Sequence, residues 1–456
     1  MAEHPQLPPG PRLPAYVQSL LIVAFPLQFF RGCRKRFGDV FTVRSFFQGT
    51  VVMVCDPRAI KQVFTAPTDV LRAGQANSSV LSGVLGDFSV LTLDGREHLR
   101  QRRLLLPPFH GERMRAYERI MAEATHRAIE RWPVGRPFRL LGEMQQLTLE
   151  IILRTVFGTA PGEREDELRD ALREMLQPMT NRGRLVLFAL SGGRVGDPVA
   201  AAAFRRRLAR VDALLYAEIA RRRADPELVE REDVCALLLQ ATDEDGRPMR
   251  DVEIRDELMT LLIAGHETTS TALAWAFERV LRHDGVRALL ERELGEGDVS
   301  YLDAVVKETL RIRNVLVNVA RAVTEPYEIG GHLLPAGVTV MPSISMTHRR
   351  ADDFPQPLSF RPERFLDGGA DTYTWIPFGG GPRRCLGASF ALFEMRTVIR
   401  AVLERTDLRA VGSRSEPIKR SGITMVPGRG ARVIQPAPPR ARARAVAEGE
   451  QAGVPA

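Results

Sequence analysis

Four cysteines, Cys33, Cys55, Cys235 and Cys385, lie far apart in a chain of 456 residues. Their spacing offers neither a zinc nor a disulfide framework and suits a reducing cytoplasm. One of them stands where chemistry is possible. The run Phe378-Gly379-Gly380-Gly381-Pro382-Arg383-Arg384-Cys385-Leu386-Gly387 is a glycine loop that delivers a cysteine just ahead of the apolar helical pattern Ala388 to Leu403. Glycines let the backbone turn tightly and approach a flat group closely. Amide hydrogens and the positive end of a helix dipole favour the thiolate, the form of cysteine that binds a metal. With no second Cys or His beside it, such a metal must be held mainly by something else. Haem iron fits, since the porphyrin supplies four ligands and the protein need supply one. The competing reading is a buried structural cysteine, because isolated thiols usually act as small hydrophobes.

A second constellation lies inside the longest helical pattern, Asp251 to His283, which spans about 50 Å at the usual rise per residue. Its middle reads Ala264-Gly265-His266-Glu267-Thr268-Thr269. A mid-helix glycine costs about 1 kcal/mol against alanine, and an acid followed by two threonines suits a buried interior poorly. So many local violations in one place point to function, although Thr268 alone could simply bond back to its own helix. A third candidate is His98 with Arg102, four apart and so on one face of a helix over Arg96 to Leu106. Glu308 and Arg311 are likewise on one helix face, and a surface pair is the plain reading of that spacing.

Together these residues resemble the cytochrome P450 family of haem-thiolate monooxygenases. Phe378, Gly379, Gly381, Arg383, Cys385 and Gly387 resemble its haem-binding signature, and Ala264-Gly265 with Glu267-Thr268 resemble its oxygen-binding helix. Glu308 and Arg311 are similar to its Glu-x-x-Arg pair, which Arg364, in Phe360-Arg361-Pro362-Glu363-Arg364-Phe365, would complete as a scaffold network. The resemblance covers roughly Pro8 to Pro427. It implies haem b (iron protoporphyrin IX) with Cys385 as the iron ligand, and His98, Arg102, Arg321 and His348 as partners of the haem propionates. It implies room for dioxygen at Ala264 and Gly265 in a locally widened turn, a hydrogen bond to that oxygen from Thr268, and proton relay through Glu267. Asn314 departs from the proline of many relatives. The implied partners are O2, an apolar small molecule, and an external ferredoxin with its reductase, because the chain shows no flavin, nicotinamide or iron-sulfur segment. Arg100, Arg103 and Arg384 would face outward toward such a donor.

The elements that must position these groups are mostly helical. The resemblance implies a mainly α fold with small β-sheets, a triangular prism of helices enclosing the haem. Tyr16 to Phe30 is apolar but too short for a membrane span and is interrupted by Gln18, Pro26 and Gln28, so it reads as the first packed helices. Val40 to Val43 and Val51 to Val54 form a hairpin around Gln48-Gly49, and Asp56-Pro57 caps a short helix. Leu71 to Thr92, rich in glycine and serine, reads as a long functional loop. Arg113 to Ala224 is helical with breaks at Pro133 to Gly135, Gly158 to Gly162 and Ser191 to Gly193, the last suggesting a lid over a pocket. Candidate pocket walls are Leu71 to Leu91, Met179 to Leu190, Leu261 to Thr268, Val315 to Val319 and Ile423. Ser300 with Asp303 reads as a capping box. Gly330 to Val340 and Gly422 to Val426 read as β-sheet.

No Pro/Gly/Ser linker divides the chain, so residues 1–435 read as one domain and 436–456, with prolines and Arg-Ala repeats, as a disordered tail. A charge of +8 and a pI near 9.7 come with 26% charged residues of both signs. That describes an ordinary surface and calls for no nucleic acid. The expectation is a cytoplasmic monomer without a transmembrane anchor. Two rivals remain: a peroxide-driven enzyme, disfavoured by the Glu267-Thr268 pair, and a haem sensor or electron carrier, which has no need of that pair.

Overall fold

The structure, a computed structural model, describes residues 7–46, 48–109, 113–158, 162–176, 198–366 and 369–440. The apolar N-terminal run splits into helices Ala15–Ala24 and Pro26–Phe37. Pro26 cannot continue the first helix and starts the second, where a missing N–H costs nothing. Upstream, Pro8 and Pro9 lie along the first strand, their carbonyls accepting from Thr42 Oγ1 at 2.7 Å and Thr42 N at 3.0 Å.

Strands β1 (Val40–Ser45) and β2 (Gly49–Val54) form the expected hairpin, Val40 opposite Val54. Asp56 Oδ2 accepts from Ala59 N at 3.0 Å and so caps helix Pro57–Thr65. β3 (Leu71–Arg72), β5 (Arg321–Val323) and β8 (Thr339–Pro342) complete a sheet in the order β1-β2-β8-β5-β3, in which only β2 and β8 run parallel. Smaller sheets pair β6 (Tyr327–Ile329) with β7 (His332–Leu334) and β10 (Ile418–Ser421) with β11 (Thr424–Pro427). β12 (Arg432–Ile434) lies between β4 (Phe138–Arg139) and β9 (Arg409–Ala410).

Helix Asp251–Val280 is the axis of the core. It packs on Leu140–Phe157 and on Ala388–Arg405, the helix that follows Cys385. Alanines at 272, 274 and 276 keep its second half slim, and Trp275, fully buried, donates Nε1–H to the Met425 carbonyl at 2.6 Å. One apolar cluster runs from Val84 to Val433 along the chain. Each large side chain fully buried there contributes about 2 kcal/mol.

Three expectations are corrected. Leu71 to Thr92 is not one loop: β3 leads into helix Ala73–Leu85. Arg72 at the N-cap offers no capping oxygen; Asp94 instead accepts from Gly74 N at 2.8 Å and Gln75 N at 2.7 Å, a cap supplied from a distant residue. Ser300 and Asp303 form no capping box. Helix Ser300–Ile312 is capped by Asp298 and by Glu293, which accepts from Tyr301 N at 2.6 Å, while Asp303 binds Arg396 at 2.7 Å. Order also continues past Pro436: Arg440 N donates to Arg405 O at 2.8 Å and its guanidinium binds Asp407 at 2.5 Å. Met179 to Leu190, Ser191 to Gly193 and residues 441–456 lie outside the described residues. Among the described residues no helix is long and apolar enough to cross a membrane.

Candidate functional site

The cysteine loop is shaped by contact with helix Pro57–Thr65. A Cβ on Gly380 would meet the Phe64 ring at 2.2 Å, and one on Gly381 the Phe64 carbonyl at 2.0 Å. Gly379 and Gly381 also adopt φ of +69° and +64°, conformations that favour glycine. Cys385 N donates to Phe378 O at 3.0 Å and closes the loop, while Phe378 packs edge-on to Trp375. The other three cysteines are buried and Cys385 is exposed. Desolvation is nevertheless the largest influence on its thiol and pushes it up, against the Gly387 amide and the cations Arg102 and Arg384. Both hold for a sulfur that lines a recess. The helix start and nearby cations therefore do not by themselves yield a thiolate; a coordinated metal would deprotonate the sulfur outright.

Beside it is a surplus of positive charge. His98, on helix Gly95–Leu105, is 1% exposed and its Nδ1 has no hydrogen-bond partner. Burial, then Arg383, Arg102 and Arg321, push its pKa down to about 3. Arg321, the first residue of β5, is buried against the Phe64 ring, its Nη1 donating only to its neighbour's carbonyl at 2.8 Å. Arg383 binds Asp94 at 2.5 Å and the Val90 carbonyl at 3.0 Å. Burial first lowers Arg321 and Arg383 to about 10; the charge of Arg383 adds to it at Arg321, and at Arg383 the charge of Arg102 adds to it against the opposing pull of Asp94. Against these cations the described residues set the single carboxylate of Asp94. Buried cations without counter-charge are costly, so the cluster is built for anions, and the two carboxylates of a haem answer that need. The donor excess, the glycine cradle and the lone sulfur fit that group. No cluster of His, Cys, Asp or Glu that could hold a bare metal occurs among the described residues.

His348 does not join this cluster. Its Nε2 accepts from Ile376 N at 2.9 Å, it is fully buried, and its own carbonyl accepts from Arg311 at 2.7 Å. It belongs to the scaffold in which Arg311 holds Glu308 through two bonds of 2.6 and 2.8 Å, both residues being fully buried. Arg364 reaches Glu308 at 3.4 Å and the Arg361 amide reaches it at 2.9 Å. Arg311 also donates to the Pro357 and Ser359 carbonyls.

At the centre of the long helix, Ala264 is exposed and Leu261, Gly265 and Thr268 are half-buried on one face, between Leu262 and His266, which are buried. The helix is α throughout, without a change of helix type at the expected widened turn. Gly265 has a packing reason, since a Cβ there would stand 3.1 Å from Ile152. Thr268 Oγ1 donates to the Ala264 carbonyl at 2.6 Å, the back-bond anticipated as the plain reading. Glu267 is raised, first by burial, and accepts from Gln145 Nε2 at 3.3 Å, with the Thr424 hydroxyl also in contact. His266 Nδ1 stands 4.0 Å from Glu267, but burial lowers that ring to about 4, so the two do not form an ion pair near neutrality.

Several site residues carried no signal in the sequence. Gln145 and Thr424 meet Glu267 from remote elements. Residues 86–94 are pinned to the long helix, where Asp256 accepts from Phe88 N at 2.9 Å and Glu257 from Val90 N at 2.8 Å. Their far side is gripped by Arg383, which ties the helix to the cysteine loop. Asp94 could have been suspected, because it immediately precedes a helix, but its carboxylate serves a different helix and Arg383. Arg103 is exposed, as expected, and pairs with Glu244, whereas Arg100 is half-buried and binds Asp243 and Glu253 at 2.7 and 3.1 Å. Arg384 is exposed.

Comparison with known proteins agrees with this geometry. The family description "Cytochrome P450" matches residues 7–431. The putative cytochrome P450 135B1 of Mycobacterium tuberculosis and Mycobacterium bovis is 44% identical over 457 residues, covering 99% of this chain and 96% of that protein. The putative cytochrome P450 138 of Mycobacterium bovis is 40% identical, covering 94% and 96%. Among solved structures, a retinoic-acid-bound cyanobacterial CYP120A1 superposes with a TM-score of 0.82 at 24% identity, covering 94% of this chain and 99% of that one. The cytochrome P450DA heme domain gives 0.80, covering 96% and 98%.

Proposed function

We propose, because this chain belongs to the cytochrome P450 family and is therefore a haem-dependent monooxygenase, that it hydroxylates or epoxidises an apolar small molecule such as a terpenoid, steroid, fatty acid or macrolide. Two electrons would reach it from an external ferredoxin and its reductase, with the enzyme working as a cytoplasmic monomer. The observation that carries the reading is the excess of positive charge of Arg102, Arg321 and Arg383 over the one carboxylate of Asp94, with the unpartnered Nδ1 of His98 among them, beside the Cys385 loop.

In this reading the sulfur of Cys385, on the loop shaped by the Gly379 to Gly381 turn and closed onto Phe378, would hold the iron of haem b. His98, Arg102, Arg321 and Arg383 take its carboxylates, Arg383 filling the role that sequence assigns to His348. When bound, haem supplies dioxygen activation and one-electron chemistry that no side chain of the chain can perform. The side chains do the rest. Ala264, with Leu261, presents an apolar wall to substrate and excludes water. Thr268 holds a hydroxyl proton that is lent to the Ala264 carbonyl and can be redirected to dioxygen. Glu267, raised by burial, keeps a proton at higher pH than an ordinary carboxyl and is steadied by Gln145, as a relay requires.

The test is to screen apolar compounds for the low-spin to high-spin shift of the loaded protein. Hits are then followed for oxygen uptake and product with a generic ferredoxin system. Turnover driven by ferredoxin supports the reading. Turnover with peroxide alone, or spin shifts without oxygen uptake, contradicts it.

A further inference from the structure

Helix Ala15–Ala24 buries two polar side chains next to Val23 and leaves part of its apolar set outside. Its polar side chains face the protein: Gln18 and Ser19 are 0% and 1% exposed. Gln18 Nε2 donates to the Leu13 carbonyl at 2.7 Å and its Oε1 accepts from Arg44 N at 2.9 Å. Ser19 Oγ donates to Ala15 O at 2.8 Å and accepts from Phe46 N at 3.0 Å. These bonds fix the rotation of the helix. Tyr16 then points outward at 59% exposure, with Val17, Leu20 and Leu21 half-buried on the same arc. Leu13 and Phe25, which flank the helix in sequence, and Phe46, whose amide it binds, are exposed as well, at 44%, 55% and 47%. A helix serving only the core would show the opposite order, with apolar residues inward.

The flanking segment is rich in cations. From Leu7 to Gly38 the chain contains no acid, while Arg12, Arg31, Arg34, Lys35 and Arg36 all fall there. Arg12, Arg31, Lys35, Arg36 and Arg44 are exposed. Arg34 is engaged by Asp39 at 2.5 Å. Arg31 and Lys35 also line a shallow surface recess with Arg34, Gly38 and Asp39, at the end of the second helix. Arg44 and Phe46 are tied to the first helix through their amides, so basic and apolar groups share one region.

We infer that this face docks on an anionic lipid bilayer, with Tyr16, Leu20 and Phe25 entering the headgroup boundary and Arg12, Arg31, Lys35 and Arg36 meeting lipid phosphates. An uncharged outward helix face rimmed by cations is the chemistry of an interfacial helix. A protein partner or a second copy would equally cover the apolar groups, but a second copy would bring like charge against like.

The haem-loaded full chain is pelleted with vesicles of phosphatidylcholine alone or mixed with phosphatidylglycerol, at low and high salt. Binding is expected to the anionic vesicles and to weaken with salt. The double variant Tyr16→Ser, Phe25→Ser should bind at least about tenfold more weakly, with its haem spectrum unchanged. Should that variant fold poorly, Lys35→Glu with Arg36→Glu replaces only exposed cations and should also lower affinity by roughly tenfold or more. Failure to pellet with either vesicle, or pelleting that neither variant reduces, overturns the inference. So does a concentration-dependent dimer, dispersed by Tyr16→Ser, in protein that ignores vesicles.

Discussion

Among the described residues, the arginine and histidine side chains around Glu308 and those around His98, all buried or half-buried, are wired in opposite ways. Around Glu308 the charges are answered: Arg311 and Arg364 share its carboxylate, spare guanidinium hydrogens go to carbonyls, and the neutral His348 accepts an amide proton at Nε2, although its Nδ1, like that of His98, has no partner among the described residues. Around His98, Arg102, Arg321 and Arg383 the cations outnumber the one acid, Asp94, and the His98 Nδ1 is left without a partner. In charge, the first cluster is complete as protein. The second is complete only with anions added. Residue type does not separate them, since both offer buried Arg and His; the matching of charges does.

The sharpest way to break this contrast is to unpair the complete cluster. Glu308→Ala strands Arg311 and should cost about 3–5 kcal/mol, because an uncompensated buried charge remains. Urea unfolding should show the loss equally with and without haem. A loss seen only in the loaded protein would put Glu308 at the cofactor.

The incomplete cluster should respond with opposite sign. Arg321→Met removes a buried cation that has no ion-pair partner among the described residues, so the haem-free protein should gain about 1–3 kcal/mol. The loaded variant should lose haem to a scavenger protein roughly tenfold faster, as a charge-assisted contact is missing. Destabilisation of both states would contradict the assignment.

Histidine titration sharpens the comparison further. The ordinary value is 6.5 and burial with neighbouring cations lowers His98 to about 3. The folded state therefore holds the neutral ring. Its stability contribution is fully present above about 6.5 and is lost as pH falls toward 3, where the unfolded chain binds the proton and the folded one does not. His98→Gln should flatten that acid limb in the haem-free protein. His348, also lowered to about 3, gives the same slope. The two part on loading: carboxylates beside His98 should raise it, while His348 should not move. NMR titration of both rings reads the difference.

Thr268 belongs to neither cluster, and Thr268→Ala should change stability by only a few tenths of a kcal/mol. Haem and substrate binding should be kept while reducing equivalents go to peroxide, measured as the ratio of product to reductant consumed. Unchanged coupling would remove Thr268 from proton handling.

Much of this was legible in the sequence because it is written in short spacings. The glycine loop with Cys385, the run Ala264 to Thr268, and Glu308 with Arg311 are contiguous or one turn apart, and the long helix follows from its unbroken pattern. The rest is written across the fold. Asp94 caps a helix whose own N-cap is Arg72, Gln145 meets Glu267 from another helix, and no local period announces either. His348 misled for the same reason: a buried histidine near a basic run matches a ligand pattern until the Ile376 amide is seen at its ring nitrogen. Helix Ala15–Ala24 reads as an apolar packed segment, and only hydrogen bonds to strand β1 and the turn after it show that Gln18 and Ser19 point inward.

The central claim is that the Cys385 sulfur holds haem iron, and the reduced carbon-monoxide difference spectrum tests it most directly. The wild-type protein should give the long-wavelength band of thiolate ligation, and Cys385→Ala should lose it while Cys235→Ala keeps it. A wild-type spectrum without that band, or its survival in Cys385→Ala, would contradict the account.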